Sequence, residues 1–110
     1  MEYIFVSYCR KDTAIISRLV DTLESAGYMI WIDQDPGSIA GGSQWRKEIV
    51  TAIENADTFL LALSPQSTKS DEVRKELDIA GDTKRTIVPI EVQTTIIPQE
   101  MRYLLSGLQV

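Results

Sequence analysis

The chain has no histidine and a single cysteine, Cys9. Those two facts remove much of the usual catalytic repertoire. Ser-His-Asp and Cys-His nucleophiles and His-ligated metals need residues the chain lacks. One cysteine excludes an internal disulfide and any Cys-based zinc site, and it fits a reducing compartment. The stretch Gly37-Ser38-Ile39-Ala40-Gly41-Gly42 has neither the glycine spacing of a dinucleotide-binding turn nor the Lys of a phosphate-cradling loop, and reads as a mobile loop. What remains for chemistry is carboxylates, hydroxyls and a few bases. Those that the elements below place at one end of a sheet are Ser7 to Lys11, Asp33 to Gly42, Ser64 to Ser70, and Glu91.

The elements that must position these groups follow from the apolar pattern. Tyr3-Ile4-Phe5-Val6, closed by Ser7, reads as a strand buried on both faces. Asp12 or Thr13 then caps a helix whose inner face is Ile15, Ile16, Leu19, Val20 and Leu23, and which stops at Gly27. Met29–Ile32 is the second strand, and the loop Asp33–Gly42 follows it. Ser43 caps a second helix with Trp45, Ile49, Ala52, Ile53 and Ala56 at helical spacing. The third strand is Thr58–Leu63. Ser70 caps a third helix, with Asp71 and Glu72 in its first turn, Val73, Leu77 and Ala80 on its inner face, and Gly81 at its end. Thr86–Ile90 is a fourth strand, and its Pro89 marks an edge position or a strand end. Met101–Leu105 is a short helical piece before a fifth strand, Leu108–Val110.

One helix between each pair of strands is the rhythm of a parallel α/β sheet with right-handed crossovers and helices on both faces. Ligands of such sheets sit outside the carboxyl ends of the strands, where strand order reverses. The four chemistry-bearing stretches all fall there. A phospho-acceptor receiver domain shares the rhythm, but it needs an Asp ending the third strand, and this chain has Ser64.

Bulk properties narrow the function further. At 110 residues, 44% hydrophobic and 25% charged, the chain has the composition of one globular domain. Sixteen acids against eleven bases give a net charge of −5, which argues against nucleic acid or a membrane surface as partner. No basic region precedes the short apolar N-terminus, and no apolar run approaches the roughly 20 residues that cross a bilayer. The expectation is a soluble, cytoplasmic protein. A sheet face left without a closing helix after the fifth strand reads as a domain boundary or a trimmed domain.

The runs IFVSYCRKD (Ile4–Asp12), AGYMIWID (Ala26–Asp33) and WRKEIVTAIENADTFLLALSPQS (Trp45–Ser67) resemble a Toll/interleukin receptor (TIR) domain. DEVRKELDIA (Asp71–Ala80) and IVPI (Ile87–Ile90) continue the resemblance in order over nearly the whole chain, except for the family's last helix. The style is closer to prokaryotic and enzymatic TIR proteins than to receptor tails. The resemblance implies a flavodoxin-like three-layer sandwich with a five-stranded parallel sheet in the order 2-1-3-4-5. It also implies one of two functions: cleavage of NAD at the nicotinamide–ribose bond, to linear or cyclic ADP-ribose, or a non-catalytic module that recruits other TIR domains in signalling, immunity or antiphage defence.

On the enzymatic reading the resemblance makes Glu76, followed by Leu77, the active carboxylate, with NAD as substrate and no resident cofactor or metal. The chemistry is open to a chain without His. Nicotinamide leaves NAD as a neutral group, so no general acid is required. A single carboxylate then stabilises the oxocarbenium ion or attacks it. Glu76 lies six residues beyond Ser70, about 9 Å along the helix and three positions after Val73, at the border of the buried face. The alternative for Glu76 is a solvated acid in an i,i+4 pair contributing about 0.3 kcal/mol.

Ser7, Tyr8 and Asp33 end strands at the crevice and line it. Arg10 and Lys11 hold the pyrophosphate on this reading, or form an ordinary surface pair. Trp45 lines the pocket as the aromatic of the enzymatic branch, or packs in the core. Glu72 stands where several enzymatic members carry a Trp over the nicotinamide. From one turn before Glu76 it acts electrostatically on the cationic ring instead of stacking on it. Cys9 has no assigned role beyond sensitivity to oxidation. The resemblance implies that the loop carrying Asp33, Asp35, Pro36, Gly37, Gly41 and Gly42 docks onto a neighbouring TIR domain, so that activity is expected to rise with self-association; the alternative is a variable surface loop with no partner. A nucleoside-processing transferase with a catalytic Glu is a third and weaker reading, distinguished by cleavage of free nucleoside with NAD left intact.

Overall fold

The computed structural model describes residues 2–32 and 42–106. Its elements in chain order are β1 (Ile4–Ser7), a 3-10 turn (Arg10–Asp12), α1 (Thr13–Ser25), β2 (Ile30–Ile32) and α2 (Gly42–Glu54). They continue with β3 (Thr58–Leu63), a second 3-10 turn (Ser67–Lys69), α3 (Asp71–Asp82), β4 (Thr86–Glu91) and α4 (Gln99–Ser106). All strand pairs are parallel and the order is β2-β1-β3-β4. This is the flavodoxin-like arrangement expected from the alternating pattern. The expected fifth strand, 108–110, lies outside the described residues.

The pleat sorts side chains to two faces. Phe5 of β1, Phe59, Leu61 and Leu63 of β3 and Ile87 of β4 pack against Ile49, Ala52 and Ile53 of α2 and Val73, Leu77 and Ala80 of α3. Val6, Leu60 and Ala62 face the other way, onto Ile16 and Val20 of α1. Trp31, Phe5 and Phe59 are cross-strand neighbours on the first face. Their rings stack as a ladder across three strands, with centroids 4.9 and 5.5 Å apart. The sheet thereby fixes the relative height of β1 and β3, whose carboxyl ends carry the candidate site.

Local signals explain most boundaries. Gly27 at φ 97° follows α1 in a conformation L side chains avoid, and provides the expected stop. The hydroxyl of Ser70 accepts the Val73 amide at 3.2 Å, the expected cap of α3.

Five expectations need correction. Gly81 does not end α3; the helix runs to Asp82, and the reversal falls on Lys84 at φ 57°. α2 begins at Gly42, so Ser43 lies inside the helix and not at its cap. Ile15 is exposed; the contact with the sheet is filled by Ile16 and Val20, with Leu19 and Leu23 packed at its edge. Asp12 occupies the N-cap position of α1 but makes no capping bond, because its carboxylate is used elsewhere. Glu76 lies within the buried stripe of α3, between Val73 and Ala80, and not at its border.

Candidate functional site

The strand order reverses between β1 and β3, since the chain leaves β1 for β2 on one side and β3 for β4 on the other. Two buried acids sit at that point. Glu76 on α3 is only 4% exposed, and its Oε1 accepts a hydrogen bond from the Ser7 hydroxyl at 2.7 Å. Ser7 ends β1 on the same face as Phe5, so the strand itself presents the hydroxyl to α3. A carboxylate on a helix stripe otherwise made of Val73, Leu77 and Ala80 costs several kcal/mol unless it is hydrogen-bonded. Ser7 supplies part of that compensation. The solvated reading of Glu76 is therefore excluded.

The second acid, Asp12, is equally buried and accepts a hydrogen bond from the Ser64 hydroxyl, which lies just past the end of β3. Ser64 and Ser67 clasp each other: the Ser64 amide donates to the Ser67 hydroxyl at 2.8 Å, and the Ser67 amide to the Ser64 hydroxyl at 2.9 Å. The turn after β1 and the turn after β3 are thus stapled through buried polar groups. Nothing in the sequence pattern distinguishes Asp12 from a helix cap. The one pointer was the cluster of hydroxyls at Ser64, Ser67 and Thr68.

Beside the staple lies a cleft of about 400 Å³, lined by Cys9, Lys11, Pro65, Gln66, Lys69 and Ser70. The structure therefore brings together Ser7 and Glu76, and separately places Lys11 at the cleft. Cys9, given no role on sequence grounds, is one of its walls. Arg10 is exposed in the 3-10 turn after β1, and Tyr8 is half-buried beside Ser7. Glu72 does not turn toward Glu76; it is exposed and faces Lys75 at 3.8 Å. Asp33, Asp35, Pro36, Gly37 and Gly41 lie outside the described residues, as does the side chain of Trp45. Gly42 opens α2. Among the described residues no cluster of three metal-ligating side chains forms, and no helix is long and apolar enough to cross a membrane.

At the amino end of β1, Tyr3 and Asp57 tie the strand to the turn before β3. The Tyr3 amide donates to Asp57 Oδ2 at 2.8 Å, and the Asp57 amide to the Tyr3 carbonyl at 3.1 Å. The Tyr3 hydroxyl donates to the Ala52 carbonyl. Burial, and after it the Asp57 charge, pushes the Tyr3 phenol above its ordinary pKa.

The sequence profile of the TIR domain family matches residues 4–109. Among curated proteins no sequence matches significantly. Among solved structures, the chain is similar to the TIR domain of the Toll-related receptor TRR-2 from Hydra magnipapillata. That match has 26% identity and a TM-score of 0.72, and it covers 91% of this chain and 78% of that one. It is also similar to the Clostridium botulinum CMP N-glycosidase BcmB, at 17% identity and a TM-score of 0.70, covering 98% and 83%. The TIR domains of the activated Roq1 resistosome, which recognises the pathogen effector XopQ, align at 19% identity and a TM-score of 0.64, covering 80% and 55%.

Proposed function

The chain belongs to the TIR domain family, and from that premise we propose that it is a cytoplasmic NAD glycohydrolase or cyclase that uses Glu76 and is activated by self-association. The observation that carries this reading is the buried Ser7–Glu76 pair at the strand-order reversal. In the reaction the bond between nicotinamide and the ribose carbon breaks, and nicotinamide leaves with the bonding electrons. The Glu76 carboxylate faces the oxocarbenium ion, and water or an internal nucleophile closes the product. Ser7 holds one carboxylate oxygen in place. A negative charge that is already oriented and desolvated needs no reorganisation when the positive charge develops.

The same burial accounts for the need for assembly. At 4% exposure Glu76 is closed to substrate, and it is not among the residues lining the cleft. On this reading, contact of a second domain with the loop 33–42 completes the site. The relatives set the chemistry in context: one of the similar structures is an N-glycosidase acting on CMP and another a TIR-containing resistosome.

The test is chromatography of NAD incubated with concentrated wild-type and Glu76→Ala protein. Nicotinamide released by wild type alone, with turnover per molecule rising with concentration, is the expected result. Turnover independent of concentration removes the assembly step. No release at any concentration leaves the second reading, a non-catalytic module binding other TIR domains, which the likeness to a receptor TIR domain favours.

A further inference from the structure

The groove between β2 and α2 joins an apolar floor to a pair of opposite charges. β2 is the outer strand of the described sheet, and α2 and α3 pack over β1, β3 and β4, with Trp31 half-buried at the margin of that core. The groove there has a volume of about 520 Å³; Tyr3, Trp31 and Ala52 line it, and its α2 wall carries Lys47 and Glu48. The Ile4 amide donates to the Met29 carbonyl at 2.9 Å, so the ladder reaches back to Met29, and alternation sets Met29 on the same side as Trp31. Met29 is half exposed, which extends the apolar strip out of the groove along the sheet edge. A rim of charge around a centre of Tyr, Trp and Met is the make-up of a protein-binding surface.

The charges select the partner. Lys47 and Glu48 are both exposed, and among the described residues neither takes part in an ion pair. They do not pair with each other, because adjacent positions on a helix do not face one another. In a chain of net charge −5 two copies repel over most approaches, but the lining of this groove holds one charge of each sign and is locally neutral. A two-fold axis brings residue i of one copy to residue j of the other, and j to i. Opposite charges at neighbouring positions meet that condition by themselves: a copy turned about such an axis offers a Glu48 to each Lys47 and a Lys47 to each Glu48.

We propose that this groove is the contact face of a symmetric pair of identical chains, with Tyr3, Met29 and Trp31 of both copies at its centre and reciprocal Lys47–Glu48 ion pairs at its rim. The contact is made by β2 and α2 rather than by the loop 33–42, so it is a second and separate assembly surface. It rests on the function proposed above only in taking the domain to self-associate; the pair forms whether or not Glu76 cleaves NAD.

Sedimentation of the wild-type chain over a wide concentration range is expected to show a monomer–dimer equilibrium. Lys47→Glu and Glu48→Lys each set like charges against one another at both rims, and each is expected to weaken the dimer at least about tenfold. Both side chains are exposed, so both variants are expected to keep the wild-type melting temperature. Mixing the two single variants restores opposite charges at both rims, so a heterodimer of near wild-type affinity is expected. The double variant Lys47→Glu/Glu48→Lys is expected to dimerise with itself. Met29→Asp is expected to abolish the dimer, and Tyr103→Asp, a like change at an exposed aromatic on α4, to leave it unchanged. A dimer of wild-type affinity in either charge variant, or no heterodimer on mixing, overturns the reciprocal face. A wild type that is monomeric throughout gives the groove to a different occupant and overturns it too. Nicotinamide release measured on the same samples keeps the two ideas apart. Dimer without release defeats the catalytic reading and leaves the face standing; release from chains that stay monomeric defeats the face and leaves the catalysis standing.

Discussion

Asp12 and Glu76 are buried to the same degree, and each accepts a hydrogen bond from a serine at or just past the end of a strand. They differ in what surrounds the serine. Ser64, the partner of Asp12, is clasped through its own amide and hydroxyl by Ser67, so that acid sits in a polar ring of turn residues. Ser7, the partner of Glu76, belongs to the sheet, and its acid projects from a helix stripe of Val73, Leu77 and Ala80. The first arrangement fastens two turns to each other. The second holds a carboxylate on an otherwise apolar helix stripe, the arrangement that the proposed catalytic role draws on. Burial is the same for both acids; the neighbours are what differ.

An amide swap at each acid gives the sharpest break in that comparison. Asp12→Asn keeps an oxygen to accept the Ser64 hydroxyl, so it is expected to fold with little loss. Asp12→Ala leaves the buried hydroxyl without its acceptor and is expected to cost about 2 kcal/mol, lowering the thermal midpoint by roughly 10 °C for a domain of this size. Glu76→Gln also keeps an acceptor for Ser7, and is expected to stay folded. Because the amide lacks the charge the oxocarbenium ion needs, nicotinamide release is expected to fall by at least about 100-fold. Thermal melts and NAD turnover on the four proteins check this. Equal behaviour of the two amide variants in both assays would erase the distinction drawn between the acids.

A smaller effect tests whether Ser7 positions the carboxylate or merely satisfies it. Ser7→Ala is expected to lower kcat about tenfold with KM nearly unchanged if the hydroxyl acts through its bond to Glu76. Ser7→Thr, which keeps the donor, is expected to recover most of the loss. A fall in stability with kcat unchanged would reduce Ser7 to a structural residue.

The sequence made the layers legible because period 2 and period 3.6 alternate cleanly. The strands near residues 3, 29, 58 and 86 all form, and among the described side chains the buried apolar positions of α2 and α3 are those the spacing picks out. It was less informative wherever two roles share one residue type. Asp12 has the look of a cap, and only the approach of Ser64, 52 positions away, gives it another partner. Glu76 falls at a spacing that is ambiguous between border and stripe, and the sheet's height relative to α3 decides it. Lys69 is one of several exposed lysines until the fold sets it across from Lys11. Gly81 carried the wrong stop signal, because Lys84 accepted a left-handed turn that a glycine would have taken more easily.

The smallest expected effect concerns the opposite end of β1, and it shows that the two ends of the strand serve different purposes. Tyr3 ties that end to Ala52 and Asp57, far from the acids, through a phenol whose pKa is raised by burial and then by the Asp57 charge. A group whose folded pKa lies above its unfolded value stabilises the fold fully below the unfolded pKa, and that contribution is lost as pH rises through the folded one. Stability of the wild-type domain is therefore expected to decline above about pH 10. Tyr3→Phe removes the ionisable proton and is expected to flatten that decline, at the cost of about 1 kcal/mol at neutral pH for the missing bond to Ala52. Denaturant unfolding of both proteins at neutral and alkaline pH reads the two slopes. Because the tie lies away from Ser7 and Glu76, the variant is expected to leave NAD turnover per folded molecule unchanged, and a matching loss of turnover would show that the two ends of β1 are coupled after all.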